Sequence, residues 1–166
     1  MTQPGFDPRD GTLSTDFGDV LGPGFTRAAF LGSGLAADAT TLIVNEPHAS
    51  WTVARSMAAR PFRFGLYFEG EQLTMVVAAL DDPAYGRNWS EWTPERELAR
   101  KAAHDAWLAA IDPEIGDGRE FPWGFVASIL DEKSGGSEIL IRYGSRLPER
   151  ASSPYPPIAF AGPRPT

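Results

Sequence analysis

The sequence predicts an α+β domain: an antiparallel β-meander packed against one long helix (about 93–111) and closed by a C-terminal β-hairpin. Three observations predict it. Apolar residues alternate with period 2 over residues 62–68. A single capped, alanine-rich helical pattern follows near residue 93. A pair of strand-like runs at 123–130 and 139–143 flanks a Gly-bearing turn. Strands before and after one helix argue for α+β and against an alternating parallel fold.

In chain order, residues 1–24 hold five glycines and four aspartates (Asp7, Asp10, Asp16, Asp19) without helical or strand period, and are expected to form an irregular arm. Residues 25–147 form the predicted domain. Thr26 caps a short helix that stops at Gly32-Ser33-Gly34, and Thr41–Val44 reads as a short strand. Trp51, Val53, Arg55 and Met57 alternate as a strand, with a helix over Ser50–Ala59 as the competitor. Phe62, Phe64, Leu66 and Phe68 point to one face. Leu73–Leu80 is apolar on both faces and is expected to be covered.

The stretch from Asn88 to Leu108 organises the rest, with three of the five tryptophans and the second of two histidines. Thr93 caps a helix with Pro94 at its first position and Glu95 in its first turn, ended by Asp112-Pro113. Its expected buried face is Leu98, Ala99, Ala102, Ala103, Ala106, Ala109 and Ala110. Glu97 and Lys101 are expected to pair on the outer face, and His104 to lie beside the apolar stripe. Residues 148–166 contain six prolines in nineteen and read as a Pro-rich tail.

The chain has 166 residues, no cysteine and a formal charge of −7 from 22 acids and 15 bases. Thiolate chemistry is excluded. The acidic excess argues against a nucleic-acid partner and leaves a basic protein partner open. Neither a leader-like segment nor a membrane-spanning run is visible, so the expectation is a cytoplasmic protein without a membrane partner.

The motifs with chemical meaning mostly fail on spacing. Gly32-Ser33-Gly34 fits the letters of a dinucleotide turn, but Thr41–Val44 begins too soon to leave room for the required helix. Asp112, Glu114 and Asp117 resemble a calcium loop, yet its sixth position is Asp117 and its twelfth Trp123. His48 and His104 lack metal-ligand spacing, so no metal or cofactor is expected. A hydrolase alternative would use His104 as base with Asp131 or Ser128. Trp89, Trp92 and Trp123 read either as core caps or as an aromatic platform for a partner.

Trp89-Ser90-Glu91-Trp92-Thr93, Arg100-Lys101, His104-Asp105 and Trp107-Leu108 form a pattern that continues downstream. It runs through Phe121, Trp123-Gly124, Ser128, Asp131, Lys133-Ser134-Gly135, Ser137, Ile139, Ile141 and Arg142-Tyr143. Together these residues resemble a family of small bacterial proteins that includes immunity partners of secreted antibacterial toxins. The resemblance implies a non-enzymatic protein that binds and neutralises a cognate toxin, with no catalytic residue to carry over. The expected partner surface is Trp89, Trp92, Asp112, Glu114, Asp117, Glu120 and Trp123. The oligomeric state stays open.

Overall fold

A computed structural model describes residues 3–144 and 158–160. Among the described residues, ten strands and three α-helices form a mixed α+β fold with two antiparallel sheets. One sheet has seven strands and the other three.

The large sheet begins with β4 (Thr40–Asn45), β5 (His48–Met57), β6 (Arg60–Glu69) and β7 (Gln72–Leu80), a meander joined by short turns. The competing helix over Ser50–Ala59 does not form, because the β-branched and aromatic residues of β5 alternate onto the same core as β6. Phe62, Phe64, Leu66 and Phe68 are all buried, each contributing roughly 1.5–3 kcal/mol of apolar transfer. Val76 through Leu80 are buried without interruption, as expected of a strand covered on both faces. At the β5–β6 turn Ala58 and Ala59 adopt φ of 51° and 60°, a left-handed pair costing roughly 1–2 kcal/mol each. The Asp16 carboxylate accepts the Ala59 N–H at 3.0 Å and holds that turn.

The expected hairpin strands do pair, β9 (Gly124–Asp131) with β10 (Gly136–Tyr143), but they do not close the sheet. β10 inserts against β7, Ile139 opposite Ala78, and β9 with the short β8 (Arg119–Phe121) extends outward. The sheet stays open, with β4 and β8 as its edges.

Thr26 caps α1 (Arg27–Leu31), its hydroxyl accepting the Ala29 N–H, and Gly32 ends it. A second short helix, α2 (Gly34–Asp38), follows in a segment for which the sequence predicts no element. Leu35 buries its side chain and supplies the reason.

The expectation of an irregular arm at residues 1–24 is corrected. It contains β1 (Gly5–Asp7), β2 (Thr12–Ser14) and β3 (Val20–Leu21), with Phe6 opposite Leu13 and Leu13 opposite Leu21. All three apolar side chains join the main core. Runs of two or three residues are too short to show a period, so this sheet is invisible to pattern reading. Most of the Pro-rich tail lies outside the described residues. Ile158–Phe160 form a buried 3-10 turn.

The long helix α3 (Pro94–Ile111) starts and stops where expected, the Thr93 hydroxyl accepting from Arg96 N–H. Its inner face is another matter. Leu98 is 56% exposed, and Ala99, Ala102, Ala106, Ala109 and Ala110 face solvent. The buried residues are Glu97, Arg100, His104 and Leu108. Glu97 therefore does not pair with Lys101, which bridges to Asp105 at 2.6 Å. No helix among the described residues is long and apolar enough to cross a membrane.

Candidate functional site

Glu97, Arg100 and His104 share one face of α3, at spacings of three and four residues. They meet the end of β7 and the start of β10 in a buried polar cluster. All three guanidinium nitrogens of Arg100 donate hydrogen bonds. Nε donates to Leu80 O (3.1 Å), Nη1 to both Glu97 carboxylate oxygens (3.1 and 2.8 Å), and Nη2 to Tyr85 O (3.2 Å) and Gly86 O (2.6 Å). The Phe160 ring lies 4.9 Å from its guanidinium carbon. Glu97 also accepts the Ser137 N–H at 2.6 Å. Burial raises the Glu97 pKa against the opposing pull of Arg100 and Ser137 N–H.

His104 is fully enclosed. Its Nε2 accepts the Leu80 N–H at 3.0 Å, which fixes the neutral tautomer with the proton on Nδ1. That Nδ1–H donates to Ser137 Oγ, 3.1 Å away. Burial, reinforced by the nearby Arg100 charge, pushes the imidazole down to about 3. Both ring nitrogens are committed to internal hydrogen bonds. His104 is a neutral crosslink between helix and sheet, inside the core and not beside it.

Neither His104 ring nitrogen bonds to Asp131 or Ser128, the other members of the hydrolase alternative. The Asp131 carboxylate accepts the Lys133 N–H at 2.9 Å and shapes the β9–β10 turn. Ser128 is buried on β9, opposite Ile139. Ser137, which belongs to the family-like pattern but was not among the expected site residues, is the serine that His104 reaches.

The expected aromatic platform is split. Trp92 donates from Nε1 to Gly135 O (2.8 Å), and Trp89 packs with its ring 5.0 Å from Phe160, both at the entry of α3. Trp123 sits beyond the helix exit, donating from Nε1 to Pro8 O at 2.8 Å. It stacks on Phe121 at 5.2 Å and meets Phe6 edge-on at 5.9 Å. The 18 residues of α3 between these two groups span roughly 27 Å. The three tryptophans cap two ends of the core and form no single surface.

The acidic loop lies on the Trp123 side. Arg119 bridges Asp112 (3.0 Å) and Glu114 (2.9 Å), while Asp117 and Glu120 are exposed. The amino-terminal aspartates do internal work: Asp7 pairs with Arg9, Asp19 with Arg55, and Asp16 holds the β5–β6 turn. The described surface carries shallow clefts, two of which are well defined. One of about 330 Å³ is lined by Phe25, Leu73, Trp123 and Tyr143 among others, and one of about 710 Å³ borders β1 and β2. Neither contains His104, Ser128 or Asp131. Among the described residues no group of three or more His, Asp or Glu side chains is placed to hold a metal ion.

Fold and surface thus define a mixed α+β protein with an internal polar crosslink and one acidic end. No family model, curated protein or solved structure matches the chain.

Proposed function

We propose that this chain is a non-enzymatic binding protein of the immunity type, which neutralises a cognate bacterial toxin by covering a basic surface on it. The observation that carries the reading is the acidic end: Arg119 bridges Asp112 and Glu114, and the exposed Asp117 and Glu120 lie in the same short segment, beside the Phe121–Trp123 stack. Four carboxylates against one guanidinium leave a local excess of three negative charges. Such a patch steers a basic partner at encounter and loses its effect as salt rises. The resemblance carried by the Trp89–Leu108 and Phe121–Tyr143 motifs points the same way. The internal commitment of both His104 nitrogens takes away the base on which a hydrolase reading depends.

The test uses the product of the adjacent gene as the probe. Association should be measured against salt for the native chain and for Asp117→Lys/Glu120→Lys, whose side chains are exposed and absent from the packing. The double reversal is expected to slow association about tenfold or more and to flatten the salt dependence. Cells expressing the neighbouring gene should be rescued by the native chain and less well by the variant. No association and no rescue would sink the reading.

A further inference from the structure

The Ile158–Phe160 turn is held in a formed seat on the large sheet. Gly65 pairs with Val77 and Val77 with Leu140, so Gly65, Val77, Ala79, Glu138 and Leu140 share one face. Ser137, the neighbour of Glu138, meets His104 of α3 on the other face. Ile158, Ala159 and Phe160 are buried and lie against β6, β7 and β10. Gly65 makes room for Ile158, because a Cβ at that position would stand 2.8 Å from Ile158 Cδ1. Phe160 packs with Ala79 and Trp89, and its ring lies 4.9 Å from the Arg100 guanidinium carbon. The Ile158 N–H donates to Glu138 Oε1 at 2.8 Å and fastens the turn to β10.

That hydrogen bond ends on a half-buried acid which no lysine or arginine among the described residues bridges. Arg100 is committed to Glu97 and to backbone carbonyls, and Arg63, beyond Ala79 on β6, to Asp81 at 3.3 Å. Apolar Ile129 stands opposite on β9, and the nearby Glu97 and Asp131 add negative charge. Closing the turn over Glu138 therefore takes water from a carboxyl that needs water to ionise.

We infer that Ile158–Phe160 is a proton-linked clasp, which closes on a neutral Glu138 carboxyl and is released as that carboxyl ionises. The titration has the matching direction. Burial, with Glu97 and Asp131, holds the carboxyl up at about 7 in the closed state, against the pull of the Ile158 N–H and Arg100; its ordinary value is 4.5. Closure is strongest below about pH 4.5 and weakens as pH rises toward 7, by up to about tenfold in the closing equilibrium per pH unit. Release uncovers the Ala79–Trp89 patch at the entry of α3, the end of the helix opposite the acidic loop.

The experiment is hydrogen exchange on the full chain between about pH 5 and 7.5, read by mass spectrometry and corrected at each pH by an unstructured peptide of the same sequence. Protection of the Ile158–Phe160 amides is expected to fall about tenfold or more across that range, while the β6 amides, which report the whole fold, change less. Glu138→Gln keeps an acceptor oxygen and has no proton to lose, so its turn should stay protected with a flat profile. Phe160→Ala should strip protection from the turn at every pH and leave β6 protected. A native profile as flat as that of Glu138→Gln would overturn the inference. So would a Glu138→Gln slope equal to the native one, which would place the proton elsewhere, or protection of the turn that survives Phe160→Ala.

Discussion

At the scale of single residues, His104 shows how a histidine in a tempting sequence context becomes structural. Its imidazole receives one backbone N–H and gives one N–H to a serine, and a proton added to Nε2 would lose the Leu80 bond in a dry site. The stability consequence has a definite sign. The unfolded chain takes up a proton near pH 6.5 that the native imidazole refuses until about 3, so this group lowers stability as pH falls from 6.5 to 3. Glu138 works in the opposite direction. Burial pushes its carboxyl up to about 7 from 4.5, so the native state keeps a proton that the unfolded chain releases, and stability falls as pH rises through that window. Glu97, also raised, acts with Glu138. Between pH 4.5 and 6.5 the opposing slopes offset one another; below 4.5 the His104 loss dominates. Urea denaturation of Glu138→Gln at several pH values is therefore expected to expose a slope up to about 1.4 kcal/mol per pH unit steeper than native across 4.5–6.5. An unchanged pH profile would show that the Glu138 carboxyl titrates normally.

At the scale of elements, α3 is held to the sheet by ionic and polar contacts as much as by apolar ones. Arg100 ties the helix to the last residue of β7 through Leu80 O and to the following turn through Tyr85 O and Gly86 O. Glu97 reaches the other side of the same seam, to Ser137 N–H on β10. Replacing Arg100 with alanine leaves a buried carboxylate and three backbone carbonyls without their donor. The expected cost is about 3–5 kcal/mol, read from urea midpoints, whereas exposed Leu98→Ala on the same helix should cost less than about 0.5 kcal/mol. Helical periodicity alone had assigned Leu98 to the buried face and Glu97, the carboxylate partner of Arg100, to the outer one. The alanines do share one side of α3, but the larger apolar residues Trp107, Leu108 and Ile111 lie on the opposite side with Glu97, Arg100 and His104, and that is the side that packs on the core. The face was decided by which residues could satisfy the free groups at the ends of β7 and β10.

At the scale of the whole molecule, the first two dozen residues are part of the core. Leu13 is fully enclosed, cross-paired with Phe6 and Leu21, and the loop after β2 reaches the β5–β6 turn through Asp16. Trp123 Nε1 and Tyr143 Oη donate to Pro8 O (2.8 Å) and Gly11 O (2.9 Å), clamping the small sheet over the open end of β9 and β10. Leu13→Ala is expected to destabilise the entire chain by about 2–5 kcal/mol in one cooperative transition. A loss under about 0.5 kcal/mol would mean the small sheet is a peripheral appendage. The same clamp explains why Trp123 is distant in role from Trp89 and Trp92. It locks the amino-terminal sheet, while the other two close the opposite end of the helix.

Local sequence sufficed for the elements whose physics is local. The period-2 run of β6, the unbroken apolar run of β7, the Thr26 and Thr93 caps and the stop at Asp112-Pro113 could be read directly, because cap chemistry and side-chain alternation depend on near neighbours. Strand order, the inner face of α3 and the pairing of β1, β2 and β3 depend on partners up to 132 residues apart, as in the Tyr143–Gly11 bond. The polar cluster was illegible for the same reason. Glu97, Arg100 and His104 look like surface residues until the ends of β7 and β10 present carbonyl and N–H groups that require partners out of water. Only the tertiary structure brings those groups together, and the cost of leaving them unsatisfied turns three hydrophilic side chains inward.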